Sequence, residues 1–545
     1  MAELSEPTPS PSPSPSLSSS STASSSKESL STPPVSSPPC RKIKVAVIGT
    51  GLAGLATAYY LTQASDNDIN YDVHLFDERP TIGFDSQSVT ATDRDGVSRR
   101  VDVPMRSFAG GYYTRVIALY KSLGLKFRDA RFTYSFSELD RDEVHGTSKT
   151  TTYYMHGGRR GVFKHGGRPA DLGLARYLVQ LTAITFWYIY FTLITTFSRP
   201  KGGLSFKNEQ KPDPASRYWY ITTPADREVR ENEIRTEASG YGSMTADEEE
   251  IDISVGVESL KEYLVRWHVA KWFIDRFVTP LFCAMSTCNT STILRAPAAD
   301  VVDYKKETFL KPHFLLEDNS RSAIAALTAD LPEENIHLGH AVQGLLSEGT
   351  TWTVRTENHP DLYHVTHVVF AVAPSRIGQL YAPLEPVLKD IKSSRVRVLV
   401  HTDDRVLDFL DPRNVRDLNL VRAGDATETT HMLFPGIYQT TSPMAFNRSP
   451  SPTGAYTNEK TDFGGRISPE SVLSESVFER VVRTHGLVQA VEKMRKRQGR
   501  HNIWVAGSWM WQGLVLLEGC VTSAQVVTEG IERRSKNPRA RRYMV

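Results

Sequence analysis

Cysteine is scarce in this chain: four residues in 545, namely Cys40, Cys283, Cys288 and Cys520. Four are too few for a disulfide scaffold. Cys283 and Cys288 do not stand at CxxC spacing and no histidine cluster completes a set, so no metal site is expected. Such usage fits a reducing, cytoplasmic setting. An excess of charge is also missing. Lys and Arg number 64 against 62 Asp and Glu, a net charge of +2, so no field draws the chain to nucleic acid. The first forty residues, dominated by Ser, Pro and Thr, have no apolar run of the signal-peptide kind. Glu3, Glu6 and Glu28, with no arginine before Arg41, argue against a mitochondrial presequence. A segment that cannot bury apolar area is expected to be a disordered, solvated tail. The rest of the chain carries most of its 40% hydrophobic content, ample for two packed domains.

The stretch Val45–Leu61 organises what is present. Val45 to Ile48 is a short apolar run of the kind that makes a buried parallel strand. Gly49, Gly51 and Gly54 follow at GxGxxG spacing, with Leu52 and Ala53 between the last two. The first glycine allows a tight turn, the second lets backbone approach a pyrophosphate, and the third lets a helix pack closely on the strand. Leu55, Ala58 and Leu61 recur at helical spacing, so a helix N-terminus points free N–H groups at the phosphates. Tyr71 to Phe76 alternates as a second strand and ends at Asp77-Glu78, where a carboxylate binds a ribose hydroxyl. Asp77 is the expected holder, with Glu78 the alternative and Arg79 part of a solvated loop. A βαβ unit without nucleotide has the same outline, but strand, glycine triplet, helix and acid together favour a dinucleotide.

Beyond a polar hairpin that ends near Arg100, the pattern predicts a helix over Tyr113–Leu123, stopped by Gly124. Phe132–Phe136 and Thr150–Met155 read as strands. The repeated His-Gly-Gly-Arg at His156 and His165 reads as a basic turn that either grips a phosphate or is simply solvated. Tyr177–Phe197 is uncharged over a length that suffices to span a bilayer, with Arg176, Arg199 and Lys201 flanking it. Gln180 and several threonines dilute its apolarity. It is therefore expected to touch a membrane surface or line a lipid-sized tunnel rather than cross a bilayer. Lys201–Ile253 reads as a mobile insertion. Leu260 to Phe273 gives a helical stripe closed by Pro280. Ile336–Leu346, Thr351–Glu357 and His364–Ala373 read as strands, the last returning to the parallel sheet. Arg395–His401 is another, ending in His401-Thr402-Asp403-Asp404. Asn502–Ser508, a loop, and a small-residue helix after Leu517-Glu518-Gly519 offer a second anion-binding helix end.

Gly-Thr-Gly-Leu-Ala-Gly-Leu-Ala-Thr-Ala-Tyr-Tyr-Leu from Gly49 resembles the form typical of FAD enzymes of the glutathione-reductase type, and Leu75-Phe76-Asp77 matches the acid of that family. Val101-Asp102 through Leu123-Gly124 resembles flavin amine-oxidase-like FAD/NAD(P)-binding oxidoreductases, and Val505-Ala506-Gly507 with Glu518-Gly519 resembles their C-terminal flavin motif. The resemblance implies an α/β fold: a discontinuous Rossmann-type FAD-binding domain with an inserted α+β substrate domain. The FAD domain would use residues 42–125, 331–376 and 496–535. The substrate domain would use 126–330 and 377–495, with the insertion at 202–253. A disordered tail, 1–41, and a basic one, 536–545, would flank them. Val342 sits where the family holds the adenine. Gly507, Ser508, Glu518 and Gly519 would meet the pyrophosphate, ribityl chain or flavin edge. Three departures stand out. Gly83-Phe84-Asp85 replaces a Gly-Gly-basic motif, Ser508 replaces an acid, and no lysine matches the one that amine oxidases place beside the flavin.

The implied function is FAD-dependent hydride transfer from a C–H bond of a hydrophobic small molecule, an amine, lipid or terpenoid. A flavin-dependent desaturase or isomerase and an FAD-binding protein without turnover are the alternatives. His401, Asp403 and His485 are the titratable groups to inspect first, each with a structural role as the competing reading. No catalytic residue is assigned.

Overall fold

Val45, Ala46 and Val47 have no exposed surface, because the strand that carries them is the middle one of five. The structure, a computed structural model, describes residues 40–142, 147–158, 167–202, 257–357, 363–408, 410–444 and 467–536. The expectations for the N-terminal tail, for most of the insertion at 202–253, for His165 and for the tail beyond Lys536 fall outside them. Strand β1 (Arg41–Ile48) leads into helix α1 (Leu52–Ala64) and then strand β2 (Ile69–Asp77). Helices α2 (Thr114–Ser122) and α3 (Leu174–Phe197) follow, then β3 (Ile336–Leu338), β4 (His367–Phe370), β5 (Ile503–Val505) and helix α4 (Leu517–Lys536). The five strands form one parallel sheet in the order β3-β2-β1-β4-β5. This is the doubly wound order in which ligands bind beyond the carboxyl ends of the strands.

A second, seven-stranded sheet is assembled from two distant parts of the sequence. Tyr134–Asp142 runs parallel to Leu418–Ala423, with Tyr134 opposite Leu418. Ser393–His401, Ala426–Phe434, Ile437–Pro443 and Val472–Val481 complete it on one side and Thr147–His156 on the other. The fold is therefore mixed α/β, a Rossmann-type sheet joined to a further body of sheet and helices, as the sequence implies.

Three expectations change in detail. Ile336–Leu346 is not one strand: β3 ends at Leu338, and Val342–Glu348 belongs to a separate antiparallel sheet with Thr351–Thr356 and Tyr363–Val365. His364–Ala373 divides similarly at Thr366, whose N–H is taken by the Lys44 carbonyl (2.8 Å) on β1. The stripe from Leu260 breaks at His268, which has φ of +48°. Pro280 does not close it; it lies inside a continuous helical run, Lys271–Ser286, directly after a π-helical turn at Ile274–Val278.

Candidate functional site

The three glycines of the loop do different work. Gly49 has φ of +105°, and a Cβ there would stand 2.6 Å from the Ala371 carbonyl oxygen. A Cβ on Gly54 would stand 1.9 Å from the Gly49 carbonyl oxygen, so α1 packs directly on the loop. Gly51, the N-cap of α1, has nothing within 4 Å of its Cβ position. Two glycines are thus demanded by packing, whereas the middle one opens the helix N-terminus to a ligand. That is the arrangement a pyrophosphate needs.

Asp77, at the end of β2, braces this loop. Its Oδ2 accepts from the Thr50 N–H (3.0 Å) and the Thr50 hydroxyl, and its Oδ1 from the Arg79 N–H (3.0 Å). Carboxylate oxygens accept more than one hydrogen bond, so capacity remains for a ribose hydroxyl. Glu78 is exposed. Gly83 donates from its N–H to the Thr50 hydroxyl (2.6 Å), so the first residue of the departing motif serves the same loop. Phe84, the second, is buried under the Arg106 guanidinium, 4.2 Å from its ring centre.

The second helix start converges on the first. The Cys520 thiol on α4 lies against the Ala53 amide and the Ser508 hydroxyl, and burial pushes it up to about 12. Gly519 is held by close approach, since a Cβ there would stand 2.3 Å from the Ser508 carbonyl oxygen. The Gly507 N–H is used by the Ser523 hydroxyl (2.9 Å). Leu52, Ala53, Ser508 and Gly519 are therefore gathered at one place. Val342 is not among them: it is buried on the antiparallel three-stranded sheet, with its carbonyl accepting from Arg376 Nη2 (2.8 Å).

Glu518 does something the sequence did not suggest. Its carboxylate is fully buried and caps α2, accepting from the Arg115 N–H (2.9 Å), the Val116 N–H (3.1 Å) and the Thr114 hydroxyl (3.2 Å). Burial raises its pKa from 4.5 to about 7, against the lowering effect of those donors. A carboxyl that holds its proton more tightly when folded contributes fully below about pH 4.5, and the contribution is lost as pH rises through about 7. Glu518→Gln keeps the shape without the charge. Its stability relative to the parent should grow on going from about pH 5 to about pH 8, by a few kcal/mol at most. Thermal unfolding of both proteins at the two pH values checks this.

Beyond this junction a cavity of about 660 Å³ runs into the second body. Leu52, Ser508 and Cys520 line one end, and Tyr134, Phe136, Phe273 and Phe277 form much of the far wall. Among the described residues the lining includes Arg106, Lys305, Lys311 and Arg480 but no Asp or Glu. Burial lowers Lys305 to about 8 and His431 to about 4. Arg480 is likewise pushed down by burial, and its ionisable neighbours among the described residues are Cys520, Tyr113 and Cys288.

The three groups chosen for first inspection are elsewhere. His401 is fully buried in the large sheet, its Nε2 3.0 Å from the Thr440 hydroxyl, and burial lowers it to about 4. Asp403 is held below the usual carboxylate range by Arg405, its partner at 2.8 Å. His485 begins the helix His485–Arg495. None of the three lines the cavity. His156, from the first His-Gly-Gly-Arg, does line it, and its Nδ1 accepts from the Gly158 N–H (3.1 Å). The cavity's cations are legible only as scattered charges, because the strand, helix and loops that carry them lie far apart in sequence.

Residues 47–123 match the family model described as an NAD(P)-binding Rossmann-like domain. No curated protein matches the sequence. Among solved structures, a candidate protoporphyrinogen oxidase from Exiguobacterium sp. 255-15 superposes with a TM-score of 0.53 at 14% identity, covering 91% of this chain and 100% of that one. The CLA-producing fatty acid isomerase from P. acnes gives 0.56 at 15% identity, over 89% of this chain and 98% of that one. Cyclohexylamine oxidase from Brevibacterium oxydans IH-35A gives 0.49 at 10% identity, over 91% and 100%. The chain carries an NAD(P)-binding Rossmann-like domain and shares the fold of the first two of these structures, the candidate protoporphyrinogen oxidase and the fatty acid isomerase.

Proposed function

We propose that this protein is an FAD-dependent oxidoreductase acting on a C–H bond of a hydrophobic molecule that carries an acidic head group. The observation that carries the substrate class is the cavity lining: aromatic and aliphatic along its length, with four cationic side chains and no carboxylate among the described residues. Apolar walls bind a chain or ring, and a buried guanidinium gains most from an anion. A protonated amine finds no counter-charge among the lining residues, so the lipid or terpenoid end of the expected range is favoured over an amine.

The residues present fit FAD. Gly51 and the start of α1 would receive the pyrophosphate, Asp77 or Glu78 the adenosine ribose, Val342 the adenine edge, and Ser508 with Gly519 the flavin end. Bound there, FAD supplies a hydride acceptor. The chain's own part is to hold the substrate's reacting carbon at the Leu52–Ser508–Cys520 end, to exclude water with the aromatic wall, and to keep positive charge nearby through Arg480.

An isomerisation, in which the hydride is taken and returned, is the second reading. The likeness of fold to the fatty acid isomerase and the acid-complementary cavity favour it. Anaerobic addition of long-chain carboxylic acids, neutral terpenoids and long-chain amines to the yellow protein separates these readings. Bleaching by acids with an oxidised product supports the first, and an isomerised product at constant flavin colour supports the second. Bleaching by amines alone, or turnover of none of the panel, contradicts the substrate class.

A further inference from the structure

Helix α3 is uncharged from Tyr177 to Phe197, has a mean hydropathy of 1.5, and is only 22% buried in its most apolar window. A helix so apolar in a water-soluble body is normally packed on most sides. Of the sixteen exposed large apolar residues among those described, seven lie on α3. Leu178, Val179, Phe186, Ile189, Leu193 and Phe197 are among them. At 100° per residue these six fall within one side of the helix. The opposite side packs inward, where Ile184, Tyr188 and Phe191 line the cavity.

The helix is tied down along its length. The Tyr190 hydroxyl donates to the Trp267 carbonyl (2.8 Å), and the Tyr263 hydroxyl donates to the Ile194 carbonyl (2.8 Å). A crossing helix would have to break these bonds and leave the cavity without a wall. A helix whose outer face alone is apolar lies in the plane of an interface.

What surrounds that face decides its occupant. Arg176, Arg199 and Lys201 are exposed at its two ends. The Lys306 ammonium reaches the Thr196 carbonyl (3.3 Å) at its C-terminal end, and Lys305 reaches the Thr192 hydroxyl (3.4 Å). Lys305 also sits over the rings of both Tyr188 (4.8 Å) and Phe309 (4.5 Å), which places the exposed tip Phe309-Leu310-Lys311 beside α3. That tip lines the cavity. Apolar surface, a basic rim and an opening of an apolar cavity therefore adjoin.

We infer that the outer face of α3, with Phe309 and Leu310, docks on an anionic lipid leaflet, lying in it without crossing, and that the cavity opens toward that leaflet. Apolar burial and attraction between the basic rim and anionic head groups act together in such docking. The docking does not depend on the redox reading, because it needs no cofactor.

The test is co-sedimentation of the purified full-length protein with vesicles of phosphatidylcholine alone or mixed with phosphatidylglycerol. The expected result is binding to the mixed vesicles, weakened by salt, with little binding to the neutral ones. F186D/L193D, which places two charges on the exposed face, should lower the partition by about tenfold or more, with an unchanged unfolding midpoint. The inference is overturned if the parent stays in the supernatant with both vesicles, or if F186D/L193D binds as well as the parent. It is equally overturned if the parent is a dimer that F186D/L193D converts to monomer, since a second copy would then cover the face.

Discussion

Gly51→Val is expected to give a folded protein that no longer retains its dinucleotide. Gly51 has φ of −68° and ψ of 174°, a conformation any residue adopts, and the position of its Cβ is clear of protein atoms to 4 Å. Nothing in the protein meets the added Cβ, so the stability change should be about 1 kcal/mol. The added methyls would fill the space before the first N–H groups of α1, where the pyrophosphate must approach to hydrogen-bond distance. Loss of retained cofactor should therefore be nearly complete. Gly54→Ala is the contrasting case. Its methyl carbon would stand 1.9 Å from the Gly49 carbonyl oxygen, a clash that only a shift of α1 relieves. That variant should lose about 3 kcal/mol or more of stability. Cofactor content and chemical denaturation of the two proteins, measured side by side, separate the functional glycine from the packing one. Retained cofactor in Gly51→Val would place the pyrophosphate elsewhere.

Asp300→Ala is expected to have the largest effect on stability. Asp300 and Arg483 are 2% and 5% exposed, with Asp300 Oδ2 accepting from Arg483 Nε at 2.7 Å. The same guanidinium donates to the Gln512 side-chain oxygen (3.0 Å) and the Trp511 carbonyl (3.3 Å). One arginine thus ties the helix Ala298–Thr308, at the cavity, to the loop that follows Ser508. Removing the carboxylate leaves a buried cation without its counter-charge, at a cost of about 3–5 kcal/mol. Asp300→Leu combined with Arg483→Met should recover most of the loss, because no lone charge then remains buried. Denaturant unfolding of the single and double variants measures this. Equal stability of Asp300→Ala and the parent would mean that solvent reaches Arg483.

The parts of the site that the sequence declares are the local ones. The strand, the glycine triplet, the helix and Asp77 lie within one βαβ unit, and each follows from neighbours a few positions away. Glu518 shows where that kind of legibility stops. In the sequence it is the acid of a helix start beside Gly519. In the fold its carboxylate caps α2, through an N–H on Arg115 that is 403 positions earlier in the chain. His401 and Asp403 fail for a similar reason. Two titratable side chains at a strand end look available, but the sheet around them is built from segments on both sides of the chain and buries them away from the cavity. The cavity's cations are the converse case: Arg106, Lys305 and Arg480, on a loop, a helix and a strand far apart in sequence, become a site only when the fold brings them to one cavity. The break at Thr366 is of the same origin, since a partner on β1, more than three hundred residues earlier, decides where one strand ends and the next begins.

The central claim is that the chain holds FAD across the convergent starts of α1 and α4, which an NAD-binding unit alone would not require. Denaturing the purified protein and identifying the small molecule it releases tests that claim most directly. The expected result is FAD at one equivalent per chain, and its loss from the Gly51→Val protein. A colourless protein that takes up NAD but no FAD on reconstitution would contradict it.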